Sequence, residues 1–526
     1  MLRALPLFFN KIAHRPRLAL AILILLPILM RIAVLSKQPV PLPNVADEFS
    51  YLLAADTFAS GRLANPVHPH WKFFELLHVI HVPVYASKYP PLQGLLLASA
   101  QVVTGVPWVG VLLSGGLMCG TIFWMLAGWM ERRYAFAGGL FAVTQLATFS
   151  YWMDSYMGGF LSAIGGALVM GSLPRLLRFK NWRHSIALGI GAAILLNSRP
   201  FEGGVLLLGC GVWLLVKMPA RNWAQLVPTG ALVCLCLGWI LFYNNSVTGS
   251  PFKLPYMEHD QQYVVLSSPF LFFANAKPIP HYFHDAIKDC WVDYDTTLYR
   301  VERADLVSYY AESMRVILKI FVGEGLALLL LPLGMFAAWR RRRHRSTLFL
   351  TLIALTGLAF VKGLLPHYAA PITGLFFFFY ALSLRQLDRW AVGLPVSSML
   401  MVATLAAYLA QVGLVLAGPP NANQTSPAQI EAFERQKIAS KLQGFGGNHL
   451  VMVRYDTAKT PIYDYVYNGA NIDAAPIIWA RDMNPTENNE LLGYYQSRRI
   501  WLLRVPLSGP PDLRPYATEH LAEIHR

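Results

Sequence analysis

The sequence has few charged residues. Asp, Glu, Lys and Arg make up 14% of its 526 residues, and hydrophobic types make up 55%. A soluble globular chain carries about 25% charged residues, so this composition excludes a soluble protein. The shortfall lies in long apolar runs, and about 20 apolar residues are enough to cross a bilayer as a helix. The composition predicts an α-helical polytopic membrane protein.

Cysteine is scarce as well. Cys119, Cys210, Cys234 and Cys236 lie in apolar runs, and Cys290 stands alone in a polar loop. This placement excludes a disulfide framework and a cysteine metal cluster. The formal net charge is +15, but the basic residues form short clusters between apolar runs, which indicates membrane topology. We therefore expect membrane lipids, and no nucleic acid, among the partners.

Basic residues between apolar runs mark the cytoplasmic side of a membrane. They predict about eleven transmembrane helices within 1–417, a cytoplasmic N-terminus and an extracytoplasmic C-terminus. The first outside loop is 36–90, and a large acidic outside loop covers 244–312, where Cys290 should be reachable from outside. The short apolar stretch 92–104 is interpreted as a partial or re-entrant helix. The predicted spans are 18–35, 107–130, 134–150, 156–173, 185–197, 201–216, 224–243, 316–338, 347–364, 368–384 and 391–417.

The tail, 418–526, is polar and long enough for a small extracytoplasmic α/β domain. Ser426, Pro427 and Gln429 form a helix-start pattern, with a capping serine, a proline in the first turn and a glutamine three residues after the cap. No role follows from this composition. The further elements predicted are strands at 449–455 and 499–505, a third candidate strand at 475–481, and a helix at 487–496.

The first outside loop opens with two adjacent carboxylates, Asp47 and Glu48. A carboxylate at the membrane surface can act as a general base towards a hydroxyl or an amine. Alternatively, the pair caps a surface helix, because acidic residues favour helix N-termini. Spacing alone does not decide between the two.

Downstream, Lys88 lies just before Pro90 and Pro91, whose stiffness suits a lysine that holds a phosphate.

A first span, an outside loop that opens with Asp47 and Glu48, a downstream Lys88 before two prolines, and many later spans resemble the GT-C glycosyltransferases. The most similar group contains the protein O-mannosyltransferases and the lipid A aminoarabinose transferase (glycosyltransferase family 39 type). The resemblance is specific over about 1–200 and does not cover the tail. It implies a GT-C-like domain in 1–417 that transfers a sugar from a polyprenyl-phosphate carrier to a lipid, glycan or protein acceptor outside the plasma membrane, with Asp47 as the base.

The resemblance does not extend to the family's metal site. Aminoarabinose transferases carry Glu-Lys-Pro-Pro, whose glutamate helps to bind a metal, whereas here Ser87 precedes Lys88 and Tyr89 intervenes before the prolines. Histidines of the same loop could serve zinc, but loop histidines are more often surface or hydrogen-bonding residues. We expect no metal site and no other cofactor. The residues concerned are His68, His70, Glu75, His78 and His81.

Two further candidates lie at turns between apolar runs. Asp154 falls at an outer turn, where the resemblance implies an acid that lines the substrate cavity, although a plain polar turn is equally consistent. Arg199 and Glu202 form the apex of a hairpin whose apolar arms are too short for the ~30 Å hydrocarbon core. Ionisable groups at that depth are functional candidates. The alternative is a pair that satisfies itself.

The remaining candidates are basic and aromatic. Lys253 and His259 lie in the large outside loop and could contact a sugar. His367 and Tyr368 begin a late span, where similar enzymes have a basic-aromatic element near the carrier phosphate. Aromatic residues at such places are usually interface anchors, which is the alternative here.

We therefore predict an inverting glycosyltransferase. Asp47 and Glu48 are the catalytic candidates, and Lys88, Arg199 and His367 would bind the donor phosphate. The expected cavity residues are Asp154, Tyr89, Lys253, His259 and Tyr368. One alternative is a transporter or lipid flippase, with a path through Arg199, Glu202, Glu324 and Lys362. The sequence lacks the inverted repeats typical of many transporters. Another alternative is an inactive assembly subunit with the same fold.

Overall fold

The computed structural model describes residues 4–179, 181–266, 268, 270–272, 275–323, 326–391, 394–420, 426–456, 464–507 and 509–516. The chain is mainly helical. Its α-helices are α1 Ala4–Ala13, α2 Pro16–Ala33, α3 Ala46–Ala59, α4 Pro91–Thr104, α5 Trp108–Trp129, α6 Arg132–Ala142, α7 Gly159–Arg178, α8 Trp182–Ser198, α9 Pro200–Lys217, α10 Val227–Thr248, α11 Pro255–Gln262, α12 Asp285–Lys288, α13 Asp295–Ala304, α14 Leu306–Phe321, α15 Leu326–Trp339, α16 Arg345–Leu358, α17 Thr373–Trp390, α18 Val396–Ala417, α19 Pro427–Phe445 and α20 Pro485–Tyr494. Its strands are β1 Val79–Ile80, β2 Ala86–Ser87, β3 His449–Tyr455, β4 Ile477–Arg481, β5 Arg499–Val505 and β6 Asp512–Pro515.

Long apolar helices confirm the prediction of a helical membrane protein. Within the described ranges, seven helical segments are long and apolar enough to cross a bilayer. Two shorter apolar helices, Leu328–Trp339 and Arg345–Leu358, lie beside them in the sequence. The total number of crossings and their sidedness stay predictions. The seven segments are Pro16–Ala33, Trp108–Trp129, Gly159–Arg178, Pro200–Lys217, Ala220–Thr248, Pro366–Trp390 and Val396–Ala417.

Three predicted spans differ from the structure: 316–338 and the two hairpin arms, 185–197 and 201–216. The span expected at 316–338 is two helices, because α14 ends at Phe321 and Gly323 adopts a left-handed φ of 83°, a conformation that commonly ends helices. The hairpin arms are longer than expected. Helices α8 and α9 have 17 and 18 residues, or about 26 and 27 Å at 1.5 Å per residue, because polar residues at their ends join the helices. Short arms therefore cannot be what keeps Arg199 below the membrane surface.

Helix α4 occupies the stretch interpreted as a partial helix. It has 14 residues, or about 21 Å, which is shorter than the ~30 Å hydrocarbon core. It packs closely on α3, since a Cβ on Gly94 would lie 2.7 Å from Ala54 Cβ. Helix α3 carries Asp47 in its first turn. The contact at Gly94 fixes α3 against the membrane-embedded part of the chain.

The tail forms the predicted α/β structure. Strand order is β4-β3-β5-β6, with β3 parallel to β4 and β5, and β6 antiparallel to β5. Helix α19 begins with a capping box between Ser426 and Gln429, as the sequence pattern predicts. The three predicted strands are present. The helix between the last two begins earlier than expected, at Pro485.

The tail is packed onto the first outside loop. The rings of Phe49 in α3 and Tyr467 in the tail stack with centroids 4.5 Å apart. Asp56 Oδ2, also in α3, accepts a hydrogen bond from the backbone N–H of Ala470 at 2.7 Å. Apolar side chains from the loop and from the sheet form a single buried cluster. The tail and the loop therefore share a core, which sequence patterns within either segment could not reveal.

Cys290 corrects another expectation. It is 6% exposed and packs with Trp291 and neighbouring apolar residues of the large loop. An impermeant reagent is not expected to reach it in the folded protein, because it lies in a buried cluster with Tyr263, Leu266 and Ile287.

Sidedness can be tested with introduced cysteines in a Cys234→Ser background, since Cys234 is the exposed native cysteine. Ala304→Cys places an exposed thiol in the predicted outside loop, and Ala220→Cys places one in a predicted cytoplasmic loop. We expect an impermeant maleimide to label only the Ala304→Cys protein in intact cells, and both proteins after permeabilisation. Labelling of Ala220→Cys alone in intact cells would reverse the predicted topology.

Candidate active site

Glu48 joins the start of α3 to the helical bundle. It is 1% exposed, and its Oε2 accepts a hydrogen bond from the backbone N–H of Asn44 at 2.8 Å while Oε1 accepts one from that of Tyr156 at 3.0 Å. Burial raises the pKa of Glu48 to about 7, against the effect of these donors. Glu48 lies in the first turn of α3, but its oxygens bind the segment before the helix and the turn at Tyr156 instead of capping the helix's own N–H groups. Because both of its oxygens are engaged, we do not retain it as a catalytic candidate.

Asp47 has a different environment. Its Oδ1 accepts a hydrogen bond from the Tyr89 hydroxyl, and its Oδ2 lies 3.5 Å from His78 Nε2. The side chain is 37% exposed, so it borders open space. Its recessed position raises the pKa, but His78, the Tyr89 hydroxyl and Lys88 more than offset this, so the pKa of Asp47 lies below its ordinary value. Asp47 is therefore ionised near pH 7 and can accept a proton.

His78 is held beside Asp47 by the hairpin of β1 and β2. Its backbone is left-handed, with φ of 64°, which is uncommon for a residue other than glycine. The carbonyl oxygen of His78 accepts hydrogen bonds from Ser50 Oγ at 2.7 Å and from the backbone N–H of Lys88 at 3.3 Å. Burial, followed by the Lys88 charge, lowers the pKa of His78 to about 3. The imidazole is thus neutral at pH 7.

The loop histidines serve separate structural roles. His68 contacts Asp473 of the tail at 3.2 Å, and His81 Nε2 accepts a hydrogen bond from the backbone N–H of Leu76 at 3.2 Å. Across the residues that the structure describes, no group of three or more His, Cys, Asp or Glu side chains is placed to hold a metal ion. The first loop uses its histidines to pack and to join segments.

Lys88 lies in an aromatic enclosure. Its Nζ is 5.4 Å from the ring centroid of Trp291, 5.5 Å from that of Tyr89 and 5.6 Å from that of Tyr256. The residue is 7% exposed, and within the described chain its ammonium group has neither an ion pair nor a hydrogen bond. Burial lowers the pKa of Lys88, against the attraction of nearby aspartates. A cation in this setting is well placed to bind an anion that enters from outside.

Stacked tyrosines connect Lys88 with Asp47. Tyr51 and Tyr89 stack with centroids 4.4 Å apart and an interplanar angle of 14°. Tyr256 meets the Tyr89 ring edge-on at 5.5 Å. The three rings come from α3, from the segment before α4 and from α11, so the large outside loop closes over the first one.

Arg199 lies within electrostatic reach of Tyr51 and Tyr256 in this group of rings. Its guanidinium lies 4.7 Å from the ring centroid of Tyr368. The two described residues Arg199 and Glu202 do not form an ion pair, so the self-satisfied pair is not observed. His367 is buried, and its Nδ1 lies 3.1 Å from the Tyr151 hydroxyl.

Other predicted cavity residues are engaged elsewhere. Asp154 forms an ion pair with the buried Arg31 at 3.1 Å, and Lys253 pairs with Glu258. His259 is fully buried and packs behind His78, with ring centroids 6.1 Å apart. Ring contacts and electrostatic proximity therefore link Asp47, Tyr89, Lys88, Arg199, Tyr368 and His367, whereas Asp154 and Lys253 form separate pairs.

The proposed transporter path receives no support from these contacts. Lys362 forms an ion pair with Asp295 of the large outside loop at 2.6 Å. Glu324 lies outside the described residues.

Sequence reasoning missed the partners that shape this site. His78 was considered only as a metal ligand, Tyr51 and Trp291 were given no role, and Tyr256 was noted only as part of a large loop that could close over substrate. Their contacts depend on how α3, the β1–β2 hairpin and the large loop pack together. One signal was present, because Tyr256 and Trp291 belong to an aromatic-rich outer loop.

The helical bundle, with an acidic helix directly after its first span and an α/β tail, is similar in fold to solved structures of membrane glycosyl-transfer enzymes. Solved structures with this fold include ArnT from Cupriavidus metallidurans bound to undecaprenyl phosphate, with a TM-score of 0.55 and 11% identity over 96% of this chain and 94% of that one. The apo state of ArnT has a TM-score of 0.52 and 12% identity over 94% of this chain and 92% of that one. The Archaeoglobus fulgidus oligosaccharyltransferase in complex with Zn and sulfate has a TM-score of 0.50 and 11% identity over 92% of this chain and 67% of that one.

These similarities confirm the predicted fold. No protein-family model matches the chain, and no curated protein sequence matches it. At 11–12% identity the likeness concerns the fold alone, so the chemistry must be argued from this chain's own side chains.

The melting temperatures of variants can distinguish the roles of the adjacent carboxylates, Glu48 and Asp47. Glu48→Gln leaves one acceptor oxygen for two buried N–H donors, and an unsatisfied buried donor costs about 1–3 kcal/mol. We expect this variant to melt at a clearly lower temperature than the wild type in detergent. Asp47→Asn keeps an acceptor for the Tyr89 hydroxyl and should melt close to the wild type. Equal melting temperatures for the two variants would contradict the role of Glu48 as the acceptor that joins the backbone at Asn44 and Tyr156.

Proposed function

We propose that the protein is an inverting glycosyltransferase that moves a sugar from a polyprenyl-phosphate carrier to an acceptor on the extracytoplasmic side of the plasma membrane. The observation that carries this proposal is an ionised Asp47 near Lys88, with Arg199 within electrostatic reach of the adjoining Tyr51 and Tyr256; neither cation forms an ion pair among the described residues. One space thus offers a base for an acceptor and positive charge for a departing phosphate.

The two cations fit a phosphate. Lys88 supplies a point charge and Arg199 a planar fork that matches phosphate oxygens. Both lie next to Tyr256, Lys88 with its Nζ 5.6 Å from the ring centroid and Arg199 near enough to act on it electrostatically. His367 contributes a neutral ring on the Tyr151 side. A carrier phosphate between Lys88 and Arg199 would satisfy both charges.

An apolar groove begins beside Arg199 and suits the carrier's hydrocarbon chain. It measures about 500 Å³ and is lined by Phe201 and Val205 of α9, by Leu352 of α16 and by Phe360 just after that helix, among other apolar residues. Phe201 is two residues from Arg199, so a lipid with its phosphate at Arg199 can lay its isoprenoid units along this groove. Support for a carrier of this kind also comes from the fold, because ArnT has been solved with undecaprenyl phosphate bound.

The proposed reaction is a single displacement. Asp47 Oδ2 takes the proton of an acceptor hydroxyl or amine, since Oδ1 is already bonded to Tyr89. The acceptor's electron pair attacks the anomeric carbon, and the bond from that carbon to the phosphate oxygen breaks. Polyprenyl phosphate leaves with the bonding electrons, and Lys88 and Arg199 stabilise its added charge. Neutral His78 lies beside Oδ2 and holds its orientation.

The base can be tested with Asp47→Asn, which keeps the size of the side chain and removes its basicity. We expect turnover to fall by about 10²–10⁴, the usual contribution of general-base help. The measurement compares envelope glycans and glycolipids by mass spectrometry in a deletion strain that carries either the wild-type or the variant gene. A sugar-modified product made at the wild-type level by a stable, well-expressed Asp47→Asn protein would defeat the mechanism.

Carrier binding can be tested directly with undecaprenyl phosphate and the purified protein. Lys88→Ala and Arg199→Ala each remove a charge-assisted contact of about 1.5–3 kcal/mol, so each should weaken binding by about 10–100-fold. Lys253→Ala is the matched control, because this lysine already pairs with Glu258, and it should bind normally. Unchanged binding by both Lys88→Ala and Arg199→Ala would remove the proposed phosphate site.

A further inference from the structure

A second cavity lies at the other end of α9 from Arg199. It is bounded by α7, α9 and α16, measures about 840 Å³, and reaches Lys217, the last residue of α9. Helix α9 has 18 residues, so about 27 Å separates its ends. This volume lies within the range of ligand pockets, and the cavity is distinct from the Asp47 site.

Five cations line the cavity and none has a carboxylate partner. They belong to three segments, and the lining contains no acidic residue. Among the described residues none of the five forms an ion pair. Glu131 in the adjoining depression pairs instead with Arg385. The five cations are Arg178, Lys217, Arg342, Arg343 and Arg345.

General topology rules account for basic residues at one membrane face but not for their convergence on a cavity. Arg178 and Arg343 are held by backbone carbonyls, those of Gly128 and Trp129 respectively. Lys217 and Arg342 form no hydrogen bond within the described chain. The result is a group of positive charges, partly fixed by the backbone, that repel one another unless an anion lies between them.

The rest of the lining is apolar. Val212, Val216 and Phe349 are exposed, and they border the cavity beside the buried ring of Trp213. Trp213 is 8% exposed, and its Nε1–H is a buried donor with no hydrogen-bond acceptor. An occupant that provides both an oxygen acceptor and hydrocarbon would match this wall.

We infer that this cavity binds an anionic phospholipid of the surrounding bilayer. Its phosphate would lie among Arg342, Lys217 and Arg178, and its acyl chains would run along Val212, Val216 and Phe349. Basic pockets between transmembrane helices bind lipid headgroups in this manner. A free anion would leave the apolar wall uncovered. A zwitterionic lipid would add the positive charge of its own headgroup to cations that already repel one another. The bound lipid joins α7, α9 and α16 at the end away from the Asp47 site.

The test uses the purified full chain in nanodiscs of phosphatidylcholine with a small fraction of phosphatidylglycerol. Lipid that remains bound after transfer to detergent is measured by native mass spectrometry. Arg342→Gln combined with Lys217→Gln removes two charges that hold no intramolecular hydrogen bond. Each charge contributes about a fivefold change, so we expect phosphatidylglycerol affinity to fall by about twenty-five-fold. Arg340→Gln is the matched control, since it removes an exposed arginine outside the cavity, and it should retain lipid normally.

Several results would overturn the inference. One is equal retention of phosphatidylcholine and phosphatidylglycerol by the wild type. A second is an equal loss for Arg340→Gln and the double variant, which indicates a general charge effect. A third is thermal stabilisation by inorganic phosphate as large as that by phosphatidylglycerol, which indicates a free-anion site. Undecaprenyl phosphate binding at the Asp47 site is measured in parallel and should be unchanged in the double variant, so failure of this inference is separate from failure of the proposed function.

Discussion

The site depends on the buried carboxylate of Glu48, which connects the backbone before α3 with the turn between α6 and α7. This fixed start sets the rotation of α3 and hence the direction of every side chain on it. One residue earlier Asp47 meets open space, two residues later Ser50 holds the carbonyl of His78, and Tyr51 stacks on Tyr89. A helix rotated by one position would separate all of these contacts, because adjacent side chains point about 100° apart.

Aromatic rings set the electrostatics of the space that α3 faces. They surround Lys88 without neutralising it, since a ring face attracts a cation more weakly than a carboxylate does. Burial of Lys88 lowers the local dielectric constant and so strengthens the field of its charge. Asp47 stays ionised because the Tyr89 hydroxyl and the nearby cation favour its charged form. Lys88 and Arg199 remain able to bind an anionic ligand. The base, Asp47, and the two cations proposed to bind phosphate therefore coexist without forming an ion pair with each other.

Composition and local pattern predicted much of the fold. Long apolar runs specify their own helices, and the capping pattern at Ser426 and the apolar strand at 449–455 depend on neighbours in sequence. Asp47, Lys88 and Arg199 stood out because charges are rare in such a chain. His78 and Tyr256 did not, since their roles arise from a left-handed backbone and from loop packing. Burial of Cys290 likewise follows from tertiary contacts that no periodicity encodes.

The shared core of the first loop and the tail has a consequence for biogenesis. Phe49 and Leu53 lie in one apolar cluster with Leu450 and Leu502. The two partners are roughly 400 residues apart, so at 5–20 residues per second the ribosome needs at least about 20 s between them. Throughout that interval the loop carries an unpaired apolar face while the later helices are inserted. The helix that bears Asp47 gains its full support only when the final strands are made, so maturation of the site is a late step in the life of each nascent chain.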